Sequence, residues 1–255
     1  MTRIDDVFRK NDKSLVLYTC GGDPDLRTSI EIAGRMEKHA DIIELGIPFS
    51  DPLADGPVIQ KANNRALSSK IIIDDIFQMC SALKRPVAIM TYYNPVYKYG
   101  IEKFCRKASN SNVDGIIVVD MPPEEADFIT DFLQGINLIF VVSRNCELER
   151  IRLITNTSSG FVYATSVFGT TGAREYLDPG LAGFSKKVKL VCDKPLALGF
   201  GISNPQQVAD AFSYGFDAAV VGSALVGRIE QGLNDKYSML DDIGEFCRSL
   251  RSLSL

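Results

Sequence analysis

Eight short apolar runs recur along the chain, and their recurrence limits the possible folds more than any other feature. They are LVLYT (15–19), DIIEL (41–45), VAIMTY (87–92), GIIVVD (115–120), LIFVV (138–142), GFVYAT (160–165), PLALGF (195–200) and AAVVG (218–222). Most are continuous rather than strictly alternating, the pattern of strands buried on both faces of a parallel sheet. Helical stripes fill the gaps. Residues 28–38 carry Ile30, Ile32, Ala33 and Met36 on one face, and residues 72–83 carry Ile73, Ile76, Met79 and Cys80. Further helices are expected over 101–108, after the Pro122–Pro123 pair, over 147–155, from an Asn204 cap with Pro205 in the first turn through Phe212, and over 241–250. Strand–helix alternation without a glycine-rich or polar linker predicts a single (β/α)₈ TIM barrel domain spanning 1–255. An extra N-terminal helix over 4–10 is expected to plug its base. The competing architecture is an open doubly wound sheet. No GxGxxG follows the first run, which weighs against a dinucleotide-binding version of it.

Composition narrows the function classes. The formal net charge is −4 and no long basic run occurs, so a nucleic-acid surface is not expected. The first residues lack the apolar core of a secretion signal, and no run approaches the length of a membrane span. Six scattered cysteines, none in a CxxC pair, suit reduced thiols, and a cytoplasmic location is expected. The only histidine, His39, precedes a strand and has no cysteine cluster nearby, so neither a metal site nor a Ser-His-Asp triad is expected.

In a barrel of this kind, chemistry sits at the C-terminal ends of the strands. Glu44 lies inside the apolar run DIIEL, where desolvation should push its pKa upward, toward acid–base chemistry near neutral pH; a salt bridge at the barrel mouth is the alternative. The segment GIPFSDPLADGPVIQ (46–60) reads as a shaped loop bringing Ser50, Asp51 and Asp55 near Glu44. Asp55 could reach over the pocket as a second carboxylate, or Asp51 and Asp55 could form Asx turns; spacing leaves both open. GFGIS (199–203) and VVGSAL (220–225) put glycines after the seventh and eighth runs, the usual place of a phosphate site in such barrels. FGTTGAR (168–174) is long enough for a cover that excludes water. Carboxylate acid–base chemistry on a small phosphorylated molecule is what the residues imply.

The run IELGIPFSDPLADGPVIQKANNRAL (43–67) resembles the signature of the tryptophan synthase alpha subunit family. The resemblance continues through YTCGGDPD, MTYYNPV, DGIIVVDMPPEE, TTGAR, GFGIS and VGSAL. It implies retro-aldol cleavage of indole-3-glycerol phosphate to indole and glyceraldehyde 3-phosphate. On this resemblance Glu44 transfers the proton, Asp55 meets the indole nitrogen, and Gly201, Gly222 and Ser223 hold the phosphate. Tyr92, Tyr163, Phe200 and Thr171 line the pocket or its cover, and Met90, Ile117 and Ile59 receive the indole. No cofactor is implied for this chain; pyridoxal phosphate belongs to the family's beta subunit, the implied partner in an alpha2–beta2 assembly. The docking face would include Asp51, Pro52, Asn94 and Pro95. Two stretches depart from the family pattern: SRNCE (143–147) and the Ser166-Val167-Phe168 segment. A stand-alone indole-releasing lyase, a weak subunit that mainly activates its partner, and a different phosphate-binding barrel enzyme are the remaining alternatives.

Overall fold

The computed structural model describes residues 1–165, 177–199 and 201–252. Its strands are β1 (Ser14–Cys20), β2 (Ile42–Gly46), β3 (Val87–Thr91), β4 (Val113–Val118), β5 (Asn137–Ile139), β6 (Val141–Ser143), β7 (Val162–Thr165), β8 (Leu196–Gly199) and β9 (Ala218–Val221). They form one sheet in the order β5-β4-β3-β2-β1-β9-β8-β7-β6. Every pairing is parallel. The two ends of that order, β5 and β6, are halves of a single extended run interrupted only at Phe140. The first half pairs with β4 and the second with β7, so the run joins both edges and the sheet closes into a barrel. The eight expected strands are therefore present, with the fifth divided. At the division the Phe140 carbonyl accepts the Tyr163 N–H at 3.0 Å, while the Phe140 N–H turns to Ser158 Oγ at 3.4 Å.

Side chains alternate between two apolar layers, as a strand's period of two requires. Val16, Ile42, Ala88, Ile117, Ile139, Tyr163, Ala197, Ala218 and Val220 fill the barrel interior. Leu15, Leu17, Ile43, Leu45, Ile89 and Ile116 face outward into the larger layer under the helices. Burial on both faces explains why the runs read as continuous. The N-terminal helix, Arg3–Lys10, inserts Ile4 into the interior cluster with Val7 and Phe8 beside it, as expected of a plug. Arg3 holds it there through Nε and Nη2 bonds of 2.9 and 2.7 Å to Asp114.

Three aspartates near strand starts fasten the base. Asp41 accepts the N–H of Leu15 at 2.8 Å, Asp114 that of Val87 at 3.0 Å, and Asp217 that of Leu196 at 2.9 Å. Each is also paired with a cation: Arg251, Arg3 and Lys189 respectively. Neighbouring strands are thereby locked at the end remote from the chemistry.

Most helices lie where their stripes and caps place them, including Pro205–Ser213, whose Asn204 side chain accepts the Gln207 N–H at 2.9 Å. Several segments differ, among them the helices Tyr93–Tyr99 and Gly180–Lys189, which are not among those expected from sequence. After Pro122 there is a 3₁₀ turn, Pro123–Glu125, and one further turn, Asp127–Thr130, rather than a full helix. Phe128 and Phe132 are exposed there, so little apolar surface is buried to support a longer one. The expected loop over 46–60 gives way at Pro57 to a helix, Pro57–Ser68, with proline in its first turn. The last helix runs Lys236–Ser252, longer than its central stripe. The six cysteines form no disulfide, and five of them are buried. Among the described residues no helix is long and apolar enough to cross a membrane.

Candidate active site

Strand β2 puts Ile42, Glu44 and Gly46 on its inward face, so Glu44 stands in the barrel interior. It is fully buried, and neither carboxyl oxygen has a hydrogen-bond partner among the described residues. Burial first, and then the negative charge of Asp55, raise its pKa to about 8. At neutral pH the group is therefore mostly a protonated acid, with no hydrogen-bond partner among the described residues.

Asp55 reaches the same cavity from the segment after β2. Tyr92, just past β3, donates to Asp55 Oδ2 at 3.2 Å and accepts the Ala54 N–H at 3.0 Å, which fixes the loop against the barrel mouth. Asn63, buried in the helix Pro57–Ser68, lies close enough to the Asp55 side chain to help hold its pKa down. Its Oδ1 accepts the Phe49 N–H at 2.9 Å and its Nδ2 donates to the Ile59 carbonyl at 3.0 Å, so one amide ties the loop's two ends together. Burial raises the Asp55 pKa to about 6, and the Tyr92 bond and the nearby Asn63 restrain that rise. Asp55 thus faces the cavity rather than its own backbone, while Asp51 accepts from Ser50 Oγ at 2.5 Å. A carboxylic acid and a carboxylate side by side, with pKa values separated by environment, form an acid–base pair at neutral pH.

The opposite wall is a helix start. Gly222 ends β9 and caps the helix Ser223–Gln231, whose first residue is Ser223. The free N–H groups of a helix start and its dipole favour negative charge there. Gly201, after β8, has φ +86°, a left-handed conformation natural to glycine. Gly201, Gly222 and Ser223 line one cavity with Glu44, Asp55, Ile59, Met90 and Tyr163.

Of the residues read from sequence, Tyr92 borders the site through Asp55 rather than lining the cavity. Ile117 does not line it: it stands in register with Met90 one strand away, packed in the interior cluster with Ile4 and Ile139. Phe200, Thr171 and the cover stretch 168–174 lie outside the described residues. Tyr18, Ile202 and Val220 line the cavity and were missed, as was Asn63 behind Asp55. Alternation along LVLYT, with Val16 inward, is the signal that points to Tyr18; nothing local in KANNRAL singles out Asn63. Among the described residues no cluster of histidine, cysteine and acidic groups is placed to hold a metal.

The buried acid should mark the protein's stability. Glu44 takes its proton at higher pH when folded (about 8) than a free glutamate does (4.5). Between those values the native state holds more protons than the unfolded chain, so stability falls as pH rises through that window and levels off above it. Glu44→Gln removes the effect. Thermal melts from pH 5 to 9 should show the wild type losing ground to E44Q by a few kcal/mol as pH climbs. A gap independent of pH would contradict the protonated, desolvated state of Glu44.

The family model for the tryptophan synthase alpha chain matches residues 4–254. A tryptophan synthase alpha chain from Caldanaerobacter subterraneus subsp. tengcongensis is 42% identical over 258 residues, spanning 98% of this chain and 97% of its own length. The alpha subunit of tryptophan synthase from Legionella pneumophila has a crystal structure similar at a TM-score of 0.90 and 34% identity, covering 99% of this chain and 98% of that one. A chain from the tryptophan synthase α2β2 complex of Pyrococcus furiosus is similar at a TM-score of 0.86 and 34% identity, covering 95% and 99%. With its fold and nearly its whole length matched in this way, the chain belongs to the tryptophan synthase alpha chain family.

Proposed function

We propose that Glu44 and Asp55 are the catalytic groups, and Gly201, Gly222 and Ser223 the phosphate site, of the reaction that defines this family. As a member the protein is a carbon–carbon lyase: it cleaves indole-3-glycerol phosphate to indole and glyceraldehyde 3-phosphate. The observation that carries the assignment is the Glu44 carboxyl, fully buried and without a hydrogen-bond partner, in a cavity whose other wall is a helix start. A desolvated acid of this kind is costly to fold around, and substrate is what it is positioned to meet.

The chemistry follows from the placement. Phosphate at Gly222 and Ser223 anchors the glycerol end, and Ile59 and Met90 receive the ring. Glu44 hands its proton to C3 of the indole. Positive character then grows at the ring nitrogen, and the Asp55 carboxylate, accepting the N–H, stabilises it. The glycerol hydroxyl next to C3 loses its proton to the Glu44 carboxylate just formed, or to a water that it orients. The bond between C3 and the glycerol carbon breaks, its electrons return to the ring, and indole and the aldehyde leave. Atoms balance without water or cofactor, because the indole ring is the electron sink.

Indole is small and apolar, and a beta subunit that consumes it is the partner this reading implies, in an alpha2–beta2 assembly. The docking face includes Asp51, Pro52, Asn94 and Pro95. Leu53, on the loop after β2, and Tyr97, in the helix Tyr93–Tyr99 that carries Asn94 and Pro95, are exposed apolar groups on this face, 89% and 61% exposed. A groove beside that helix is lined by Ile47, Pro48, Ile71, Asp74, Pro95 and Lys98. Because Asp55 is bonded through its N–H to the Pro52 carbonyl at 3.0 Å, pressure on Pro52 acts directly on a catalytic group. Cleavage of indole-3-glycerol phosphate, followed by both products across a titration of beta subunit, tests this. A slow rate for the chain alone and a clear rise on adding beta are expected, and Pro52→Gly should diminish the rise more than the basal rate. Full activity alone, unchanged by beta, would leave a stand-alone lyase; a different product would remove the substrate assignment.

A further inference from the structure

Tyr18 lines the cavity and has no part in the chemistry above. Strands β1 and β2 pair so that Tyr18 stands opposite Glu44. Gly46 is the next inward position on β2 beyond Glu44. It has no side chain, and the Tyr18 hydroxyl occupies the space left: a Cβ added at Gly46 would overlap it. The base of the ring rests on Gly222, where an added Cβ would lie 3.0 Å from Tyr18 Cδ1. The phenol therefore spans the cavity from the helix start to the room just past Glu44. Its hydroxyl makes no hydrogen bond among the described residues, and both Glu44 oxygens lack one as well.

The groups around Glu44 make a neutral donor valuable. Tyr18 faces it from β1, Asp55 from the loop after β2 and Tyr163 from β7. Its β3 neighbour in register is Ala88, which is apolar. No cation is among these groups, and Asp55 opposes a second negative charge. Yet Glu44 must become a carboxylate the moment its proton reaches the indole ring.

We propose that Tyr18 is a positioning residue for Glu44, whose hydroxyl donates a hydrogen bond to the carboxylate left after proton transfer. The proposal rests on the reading of Glu44 as the proton-transfer group. The hydroxyl stands beside Gly46, one inward position beyond Glu44 and on the strand paired with it, within the reach of a turned carboxylate. The phenolic proton stays on oxygen throughout, since burial holds the Tyr18 pKa well above its ordinary value. The bond lowers the energy of ionised Glu44 and leaves it oriented to take the glycerol hydroxyl proton.

Tyr18→Phe keeps the ring against Gly222 and deletes only the donor. Steady-state cleavage of indole-3-glycerol phosphate by the full chain should show kcat lower by about ten- to a hundredfold, the usual weight of a hydrogen bond to a charged group, with KM within about twofold. The alkaline limb of the kcat profile should move up by about one pH unit, because ionised Glu44 has lost a stabilising partner. A readout without turnover is the pH at which the stability gap between Glu44 and E44Q chains levels off: it should rise in the Y18F background. An unchanged kcat and alkaline limb would overturn the proposal, and so would a rise in KM alone, which would make Tyr18 a substrate contact only. If E44Q itself retains full activity, the assignment of Glu44 fails; if E44Q is inactive while Y18F behaves as wild type, only the role of Tyr18 fails.

Discussion

Glu44→Gln is expected to slow indole formation by about two to four orders of magnitude with the fold intact, the range associated with loss of a general acid–base group. Glutamine matches the side chain in size and polarity but cannot release a proton to the ring. The group it replaces is fully buried, unpartnered and poised near pH 8 as an acid. Stability should not suffer, since the carboxyl destabilises the native state over the working pH range. Rate and stability should therefore move in opposite directions, the mark of a residue retained for chemistry. Single-turnover measurement of indole release, beside a thermal melt of the same sample, checks both. Turnover close to wild type in E44Q would remove Glu44 from the mechanism.

The second large effect is at the other end of the cavity. Ser223→Asp is expected to weaken binding of indole-3-glycerol phosphate by at least about a hundredfold, because a like charge is set beside the phosphate at a cost of several kcal/mol. The same substitution places an acidic residue in the first turn of the helix Ser223–Gln231, where the dipole favours it. Folding stability should hold or rise slightly while affinity collapses. Calorimetric titration with substrate, and with inorganic phosphate as the smaller probe, reads the loss. Equal affinity in wild type and S223D would place the phosphate elsewhere.

Much of this site is visible before any coordinates. Glu44 stands out because a carboxylate inside DIIEL has no cheap explanation: the run is too apolar to be a surface, and a period of two turns every second residue inward. The proposed phosphate site is suggested for a similar reason, since two glycine-bearing strand ends fall where barrels of this class bind phosphate. Asp55 was harder. Spacing left it between an Asx turn and a catalytic position, and the choice fell to Tyr92, which lies 37 residues away and supplies the hydroxyl that turns the carboxylate to the cavity. Asn63 is beyond reach, because its bonds to the Phe49 N–H and the Ile59 carbonyl join the loop to the helix and leave no trace in local sequence. Ile117 failed in the opposite sense. Its inward parity was sound, but Ile4 and Ile139 pack the space around it, and the cavity lies elsewhere.

The sequence by itself determined the strand–helix alternation, the double burial of the strands, the plugging helix and the residues of the signature run. These depend on periodicity and side-chain chemistry, which are local properties of a chain. Closure was settled only in three dimensions. The fifth run divides at Phe140 because its halves bond to different neighbours, β4 and β7, and neither neighbour is adjacent to the division in sequence. The acidity of Glu44 belongs to the tertiary level too. A glutamate titrates near its ordinary value until folding strips its water, brings Asp55 beside it and supplies no partner, and each of those contributions comes from residues distant along the chain.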